Sequence, residues 1–191
     1  MNAFFKLASC LMLALVAACT SMPEKPKDIP PRPTRETIKS FSLNARATIQ
    51  QGSKANSVRV LWEHGPFNDS IGFASPMSGM IAELQRTPDG ARWMTAEGEE
   101  FFDRNPDKLI ARLTDTPVPI ADLALWVTGQ TTPGATDIER DANGRLLHAQ
   151  DKGWQIRVLS YETNLPNAMP SVMEVESGAL RIRLAFEEYL L

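Results

Sequence analysis

Along most of this chain the side chains alternate between apolar and polar. In FSLNARATI the apolar positions are Phe41, Leu43, Ala45, Ala47 and Ile49, with Ser42, Asn44, Arg46 and Thr48 between them. That period of two predicts a strand with one face buried and one face wet. SVRVLWEH repeats the pattern with Val58, Val60 and Trp62, WQIRVLSY with Trp154, Ile156 and Val158, and LRIRLAF with Leu180, Ile182, Leu184 and Phe186. Shorter strands are predicted at 69–75, 80–86, 91–96, 136–141, 145–150 and 172–176. Pro88-Asp89-Gly90, Asn143-Gly144 and Ser177-Gly178 supply turns between them. Strands spaced this closely, without helices between, must pair as antiparallel hairpins.

The period changes in one central place. Asn105-Pro106-Asp107 reads as an N-cap, a proline at the first helical position and an acidic first turn. Leu109, Ile110 and Leu113 then share one helical face. A second helix is predicted from about Pro119, carrying Ile120, Leu123, Ala124 and Val127 at helical spacing and stopping at Gly129. Leu125 and Trp126 widen its apolar surface. The fold class is therefore mainly β with helices (α+β): one long antiparallel sheet, interrupted once by two short helices. A sheet of this length curls with its apolar face inward, and the helices can cap the concave side. Its own side chains can fill that half-barrel, or a cavity can remain. The pattern leaves both open, with a packed core as the default.

The first 37 residues follow neither period. Lys6 precedes the uncharged run LASCLMLALVAA, which is too short to span a bilayer as a helix. A basic start, a short apolar run and small residues before a break make residues 1–18 a signal peptide. Cys10 lies inside that run, so Cys19 has no intrachain partner in the mature chain. Val16-Ala17-Ala18-Cys19 resembles a bacterial lipobox, with cleavage before a cysteine that then carries an S-diacylglycerol and an N-acyl chain. Thr20 follows where aspartate retains lipoproteins in the inner membrane, which implies passage to the outer membrane. The next stretch, with Pro23, Pro26, Pro30, Pro31 and Pro33, is poor in large apolar groups. Residues 19–37 therefore read as the lipidated cysteine and a proline-rich tether, about 50 Å long if extended at ~3.1 Å per residue. Residues 38–191 form the folded domain, enough for one sizeable core.

Composition narrows the function. The net charge is −3 and 43% of residues are hydrophobic. No basic cluster suggests nucleic acid. His64 and His148 stand alone, and no nucleophile elbow, phosphate-binding glycine loop or cysteine–histidine cluster occurs. Glu97, Glu99 and Glu100 read as a solvated turn ahead of the first helix. In ASPMSGM, Pro76 and Gly79 demand a turn, yet Met77 sits at its tip, where polar residues are normal. Met77 either folds back on the sheet or stands in solvent as an apolar finger.

These segments resemble the LolB family, outer-membrane lipoprotein receptors of Gram-negative bacteria. The matching pieces are TPVPIADLALWVTG, PGATD, GWQIRVLSYE and AMPSVMEVESGALRIRL, preceded in order by FSLNARATI, VLWEH and ASPMSG. The pattern around Pro119, Trp126 and Gly129 is the most specific, and the resemblance spans about 41–191. It implies an unclosed, strongly curved antiparallel half-barrel with helices over an apolar cavity. It also implies a lipid-anchored monomer without enzyme activity or cofactor, facing the periplasm. Such a protein accepts acylated lipoproteins from a LolA-type carrier and inserts them into the inner leaflet of the outer membrane. Trp62, Trp126 and Trp154 are expected to line the cavity or its mouth, with Leu43, Val60, Ile120, Leu123, Ile156 and Leu184 as further candidates. Met77 falls where the family places an exposed leucine used for membrane insertion, a departure in residue type. The alternative reading is an assembly lipoprotein using its sheet as a protein platform over a packed core. A lipid hydrolase is the third reading, and it lacks a nucleophile motif.

Overall fold

The computed structural model describes residues 29–75, 77–114 and 117–191, with backbone alone at Leu113 and Thr114. The signal peptide, Cys10, Cys19, Thr20, Pro76 and the Leu113 side chain lie outside the described residues. The unit described below is Pro31–Leu191.

Eleven strands form one antiparallel sheet: β1 (Phe41–Gln51), β2 (Lys54–His64), β3 (Asp69–Ser75), β4 (Gly79–Thr87), β5 (Gly90–Thr95), β6 (Glu100–Asp103), β7 (Thr136–Arg140), β8 (Leu146–Asp151), β9 (Trp154–Tyr161), β10 (Pro170–Ser177) and β11 (Leu180–Leu190). Their spatial order is β6-β5-β4-β3-β2-β1-β11-β10-β9-β8-β7. Two meanders thus join where the first and last strands pair. The outer strands β6 and β7 are not neighbours, so the sheet stays unclosed.

Burial follows the alternation read from the sequence. Phe41, Leu43, Ala45 and Ala47 of β1 are buried, as are Val60 and Trp62 of β2 and Trp154, Ile156 and Val158 of β9. The alternation breaks once in β11. Asn44 pairs with Glu188 but Ala45 pairs with Phe186, which leaves Glu187 as a bulge. Without that extra residue Glu188 would face inward. With it, Tyr189 does, and its hydroxyl donates to the Val127 carbonyl at 2.9 Å.

The two helices are α1 (Pro106–Thr114) and α2 (Ile120–Val127). Asn105 caps α1 as expected, its Oδ1 accepting the Lys108 N–H at 3.1 Å. At the end of α2, Gly129 takes φ +77. Its N–H donates to the Trp126 carbonyl at 2.9 Å, and the Gln130 N–H donates to the Leu125 carbonyl at 2.9 Å. This is a Schellman stop. The helices join one free edge of the sheet to the other. α1 packs on β5 and β6, and α2 buries Ile120, Leu123, Ala124, Trp126 and Val127.

Two expectations need correction. Glu100 is not part of a turn; it opens β6, and the turn is confined to the residues before it. Strand pairing uses backbone groups, so β5 can recruit Phe101, Phe102 and Asp103 although their side chains do not alternate. The second concerns residues given to the tether. Arg35–Thr37 form a 3-10 turn, and Arg35 is buried. Its Nη1 donates to the Pro166 carbonyl at 2.6 Å, its Nη2 donates to Ala168 O, and its guanidinium lies 5.6 Å from the Tyr161 ring centre. Arg32 grips Glu162 with two hydrogen bonds of 3.0 and 2.6 Å. Apolar content is a poor guide here, because a guanidinium docks through its fork of donors.

Gly90 holds φ +141, and a Cβ there would stand 2.5 Å from the Asp103 carbonyl oxygen. Gly52 has φ +58 with open space around it. Gly90→Ala is therefore expected to cost about 2–3 kcal/mol in urea unfolding, and Gly52→Ala about 1 kcal/mol. Equal costs would show that the close approach of β6 does not constrain Gly90.

Candidate functional site

The inner face of the sheet is not fully packed. A cavity of about 250 Å³ lies between it and the helices, and every residue lining it is apolar. From β1 come Leu43, Ala47 and Ile49, from β2 Val58, Val60 and Trp62, and from β3 Ile71 and Phe73. β4 adds Ile81, Ala82 and Leu84, β5 adds Trp93, and β11 adds Leu180, Ile182, Leu184 and Phe186. The helical side closes it with Ile110, Val118, Ile120, Leu123 and Val127. Part of the void traces to Ala47 and Ala82, inward positions where a methyl group stands in place of a large side chain.

Exposure grades along the strands. Ile49, Val58, Phe73 and Trp93 are half-buried and Ile81 is exposed, whereas Leu43, Trp62, Ile71 and Leu84 are buried. The register places Ile49, Val58, Phe73 and Ile81 towards the β1–β2 and β3–β4 hairpins and Leu43, Trp62, Ile71 and Leu84 towards the opposite end, with Trp93 level with Leu84. The mouth therefore opens at the hairpin end. Trp93, opposite Leu84, reaches diagonally to Phe73, with ring centres 5.3 Å apart. Phe73 pairs with Ala82 and Ala74 with Met80, so Ile81 is a bulge residue that adds to the mouth.

The floor is held by a polar group behind it. Trp62 is 3% exposed, and its Nε1 donates to Asp69 Oδ1 at 2.8 Å. His64 Nδ1 lies 2.6 Å from the same oxygen, and Arg86 Nε donates to Oδ2. His64, which stands alone in the sequence, thus has a carboxylate partner and stacks on Phe41 with ring centres 4.8 Å apart. Burial pushes the Asp69 carboxyl up, but the hydrogen bonds from His64, Trp62 and Arg86 outweigh it and hold it below the usual carboxylate range.

Of the residues singled out in the sequence, Trp62, Leu43, Val60, Ile120, Leu123 and Leu184 face this cavity. Trp126, Trp154 and Ile156 do not. They are buried as their alternation requires, but in the packed half of the core beneath β8 and β9. Trp126 and Trp154 have ring centres 6.1 Å apart, and Trp126 Nε1 donates to the buried Asp151 carboxylate at 2.9 Å. Asp151 also takes the Thr132 N–H at 2.7 Å and the Thr132 hydroxyl at 2.5 Å. Phe73, Trp93 and Ile81 were not singled out. Trp93 had a signal, since it alternates with Ala91 around Arg92. The bulge at Ile81 had none.

Met77 is 98% exposed. The Ser75 hydroxyl accepts its N–H at 3.2 Å and that of Ser78 at 3.4 Å, and Gly79 at φ +76 returns the chain to β4. Of the two arrangements open to it, Met77 takes the one in solvent, on the hairpin that also carries Phe73 and Ile81 to the mouth.

An unclosed half-barrel with a wholly apolar cavity under two helices defines a class of β protein built around unfilled space. Comparison places the chain within that class. The family described as outer membrane lipoprotein LolB matches residues 39–189. The outer-membrane lipoprotein LolB of Azoarcus sp. is 31% identical over 97% of this chain and 95% of its own. That of Dechloromonas aromatica is 29% identical over 94% of each. A DUF1329 family protein from Desulfovibrio piger shares the fold at TM-score 0.50 and 12% identity, over 81% of this chain and 86% of its own. The chain belongs to the LolB family. Among the described residues no helix is long and apolar enough to cross a membrane.

Because the Asp69 carboxyl is held below its ordinary value, its contribution to stability is complete above that value, near pH 4, and fades as pH falls through the lower folded value. Wild type should therefore lose more stability between pH 5 and pH 3 than Asp69→Asn, by urea unfolding at each pH. At pH 7 the variant, leaving Arg86 without its anion, should be about 3 kcal/mol less stable. Parallel pH curves would contradict the account of Asp69.

Proposed function

We propose that this protein accepts acylated lipoproteins from a LolA-type periplasmic carrier and inserts them into the inner leaflet of the outer membrane. It acts as a lipid-anchored receptor held there through Cys19 by an S-diacylglycerol and an N-acyl chain. The observation that carries the reading is the wholly apolar cavity. An acyl chain in water costs about 0.8 kcal/mol per exposed methylene, so a multiply acylated lipoprotein faces a barrier of tens of kcal/mol. A cavity that keeps the chain dry removes that barrier. Transfer then runs downhill from carrier to cavity to bilayer. Anchoring keeps the acceptor beside its target and raises the effective concentration.

The exposed Met77, on the same hairpin as the cavity mouth, supports a role at the exit. An unbranched thioether enters the lipid boundary and adapts its shape there. The platform reading would need a filled core, which the cavity speaks against. Two measurements test the proposal. Mass spectrometry of the purified protein should find non-covalently held acyl species, and finding none would favour the platform. Met77→Glu puts a charge where the proposal requires an apolar contact with lipid. It should lower lipoprotein incorporation into liposomes about tenfold or more, while stability and acyl binding stay unchanged. Incorporation at the wild-type rate would remove Met77 from the mechanism.

A further inference from the structure

The cavity has a mouth and a floor, and its depth can be read against the length of an acyl chain. A dry cavity of about 150 Å³ holds one benzene ring of six carbons. On that scale this cavity of about 250 Å³ takes about ten carbons. The strand path agrees. Val58 sits at the mouth and Trp62 at the floor, four residues along β2, or about 13 Å. Ten carbons are fewer than a membrane acyl chain contains, and lipoproteins carry several such chains. The cavity in this form therefore holds only the end part of one chain.

The residue that stops the chain is Trp62. Its indole is pinned at one end by the hydrogen bond to Asp69. Phe41 backs it edge-on at 5.3 Å between ring centres. Asp69 is itself fixed by His64 and Arg86. A tryptophan held this way cannot swing aside without stranding its N–H and exposing a buried carboxylate. Trp126 is a built-in comparison: it is equally buried and also bonded to an aspartate, but it lies outside the cavity.

We infer that Trp62 sets the depth to which a single acyl chain enters, so that the cavity measures about ten carbons of one chain and leaves the remainder, and the other chains, outside. This rests on the acyl-acceptor reading above and adds to it the number of chains held and the residue that limits them. The ligand is a straight, saturated or mono-unsaturated chain presented methyl end first.

The test is titration calorimetry of straight-chain fatty acids of six to eighteen carbons, below their micelle concentrations, on the mature chain carrying Cys19→Ser. That substitution keeps the protein's own lipid from competing. In wild type, affinity should rise about fourfold per carbon up to about ten carbons and less than twofold per carbon beyond, with one chain bound per protein. Trp62→Leu should move the break to chains about two carbons longer, and Ala47→Leu to chains about two carbons shorter. Trp126→Phe should leave the break in place although it loses a comparable hydrogen bond. Should Trp62→Leu fail to fold, the wild-type series and Ala47→Leu still decide. Affinity climbing unbroken to eighteen carbons, two chains per protein, or a break unmoved by a folded Trp62→Leu would overturn the inference. Binding at no chain length would overturn the acyl-acceptor reading itself.

Discussion

Everything distinctive in this molecule depends on an apolar concave surface larger than the groups that cover it. The sheet cannot close, because β6 and β7 are separated by the width of the half-barrel and only two short helices connect them. Those helices bury their apolar faces against the sheet, and the inward alanines at 47 and 82 leave a void that neither side fills. An empty apolar space sacrifices contacts that a packed core would make. The two halves of the sheet divide this cost unevenly. Beneath β8 and β9 the core is filled, with Trp126, Trp154 and Ile156 all buried and Asp151 tying β8 to the end of α2. Beneath β11 and β1 to β5 it is not. The packed half supplies rigidity, and the open half supplies space.

Buried carboxylates organise both halves. Asp69 and Asp151 each receive an indole N–H and fix a tryptophan whose position decides what surrounds it. Asp69 is paired with cationic Arg86, while the described donors to Asp151 are neutral. A buried charge is costly unless it is hydrogen-bonded, and each group accepts three described hydrogen bonds. Polar chemistry in this protein is thus placed behind the apolar surface and keeps it in shape.

Much of this was legible in the sequence, and the residues show where legibility ends. Alternation identified the strands and their inward faces, because the period of two is a local property: Leu43, Val60 and Leu184 face inward as read. The capping chemistry of Asn105 and the stop at Gly129 were equally local. Facing inward is not the same as facing a void. Trp126, Trp154 and Ile156 share the pattern of Trp62 but meet other side chains, Trp126 and Trp154 packing on each other with ring centres 6.1 Å apart. The bulges at Ile81 and Glu187 depend on cross-strand register. The docking of Arg32 and Arg35 depends on carbonyl and carboxylate partners far along the chain at Pro166, Ala168 and Glu162. β6 carries no alternation, and only its neighbour reveals it.

The central claim is that the open half, and not the packed half, receives an acyl chain. It is tested most directly by giving the mature protein, with Cys19→Ser, a single tryptophan at a time and adding a fatty acid brominated at its methyl end. The account predicts strong quenching of Trp62 fluorescence at saturation and little quenching of Trp154. Equal quenching at the two positions, or none at Trp62, would contradict it.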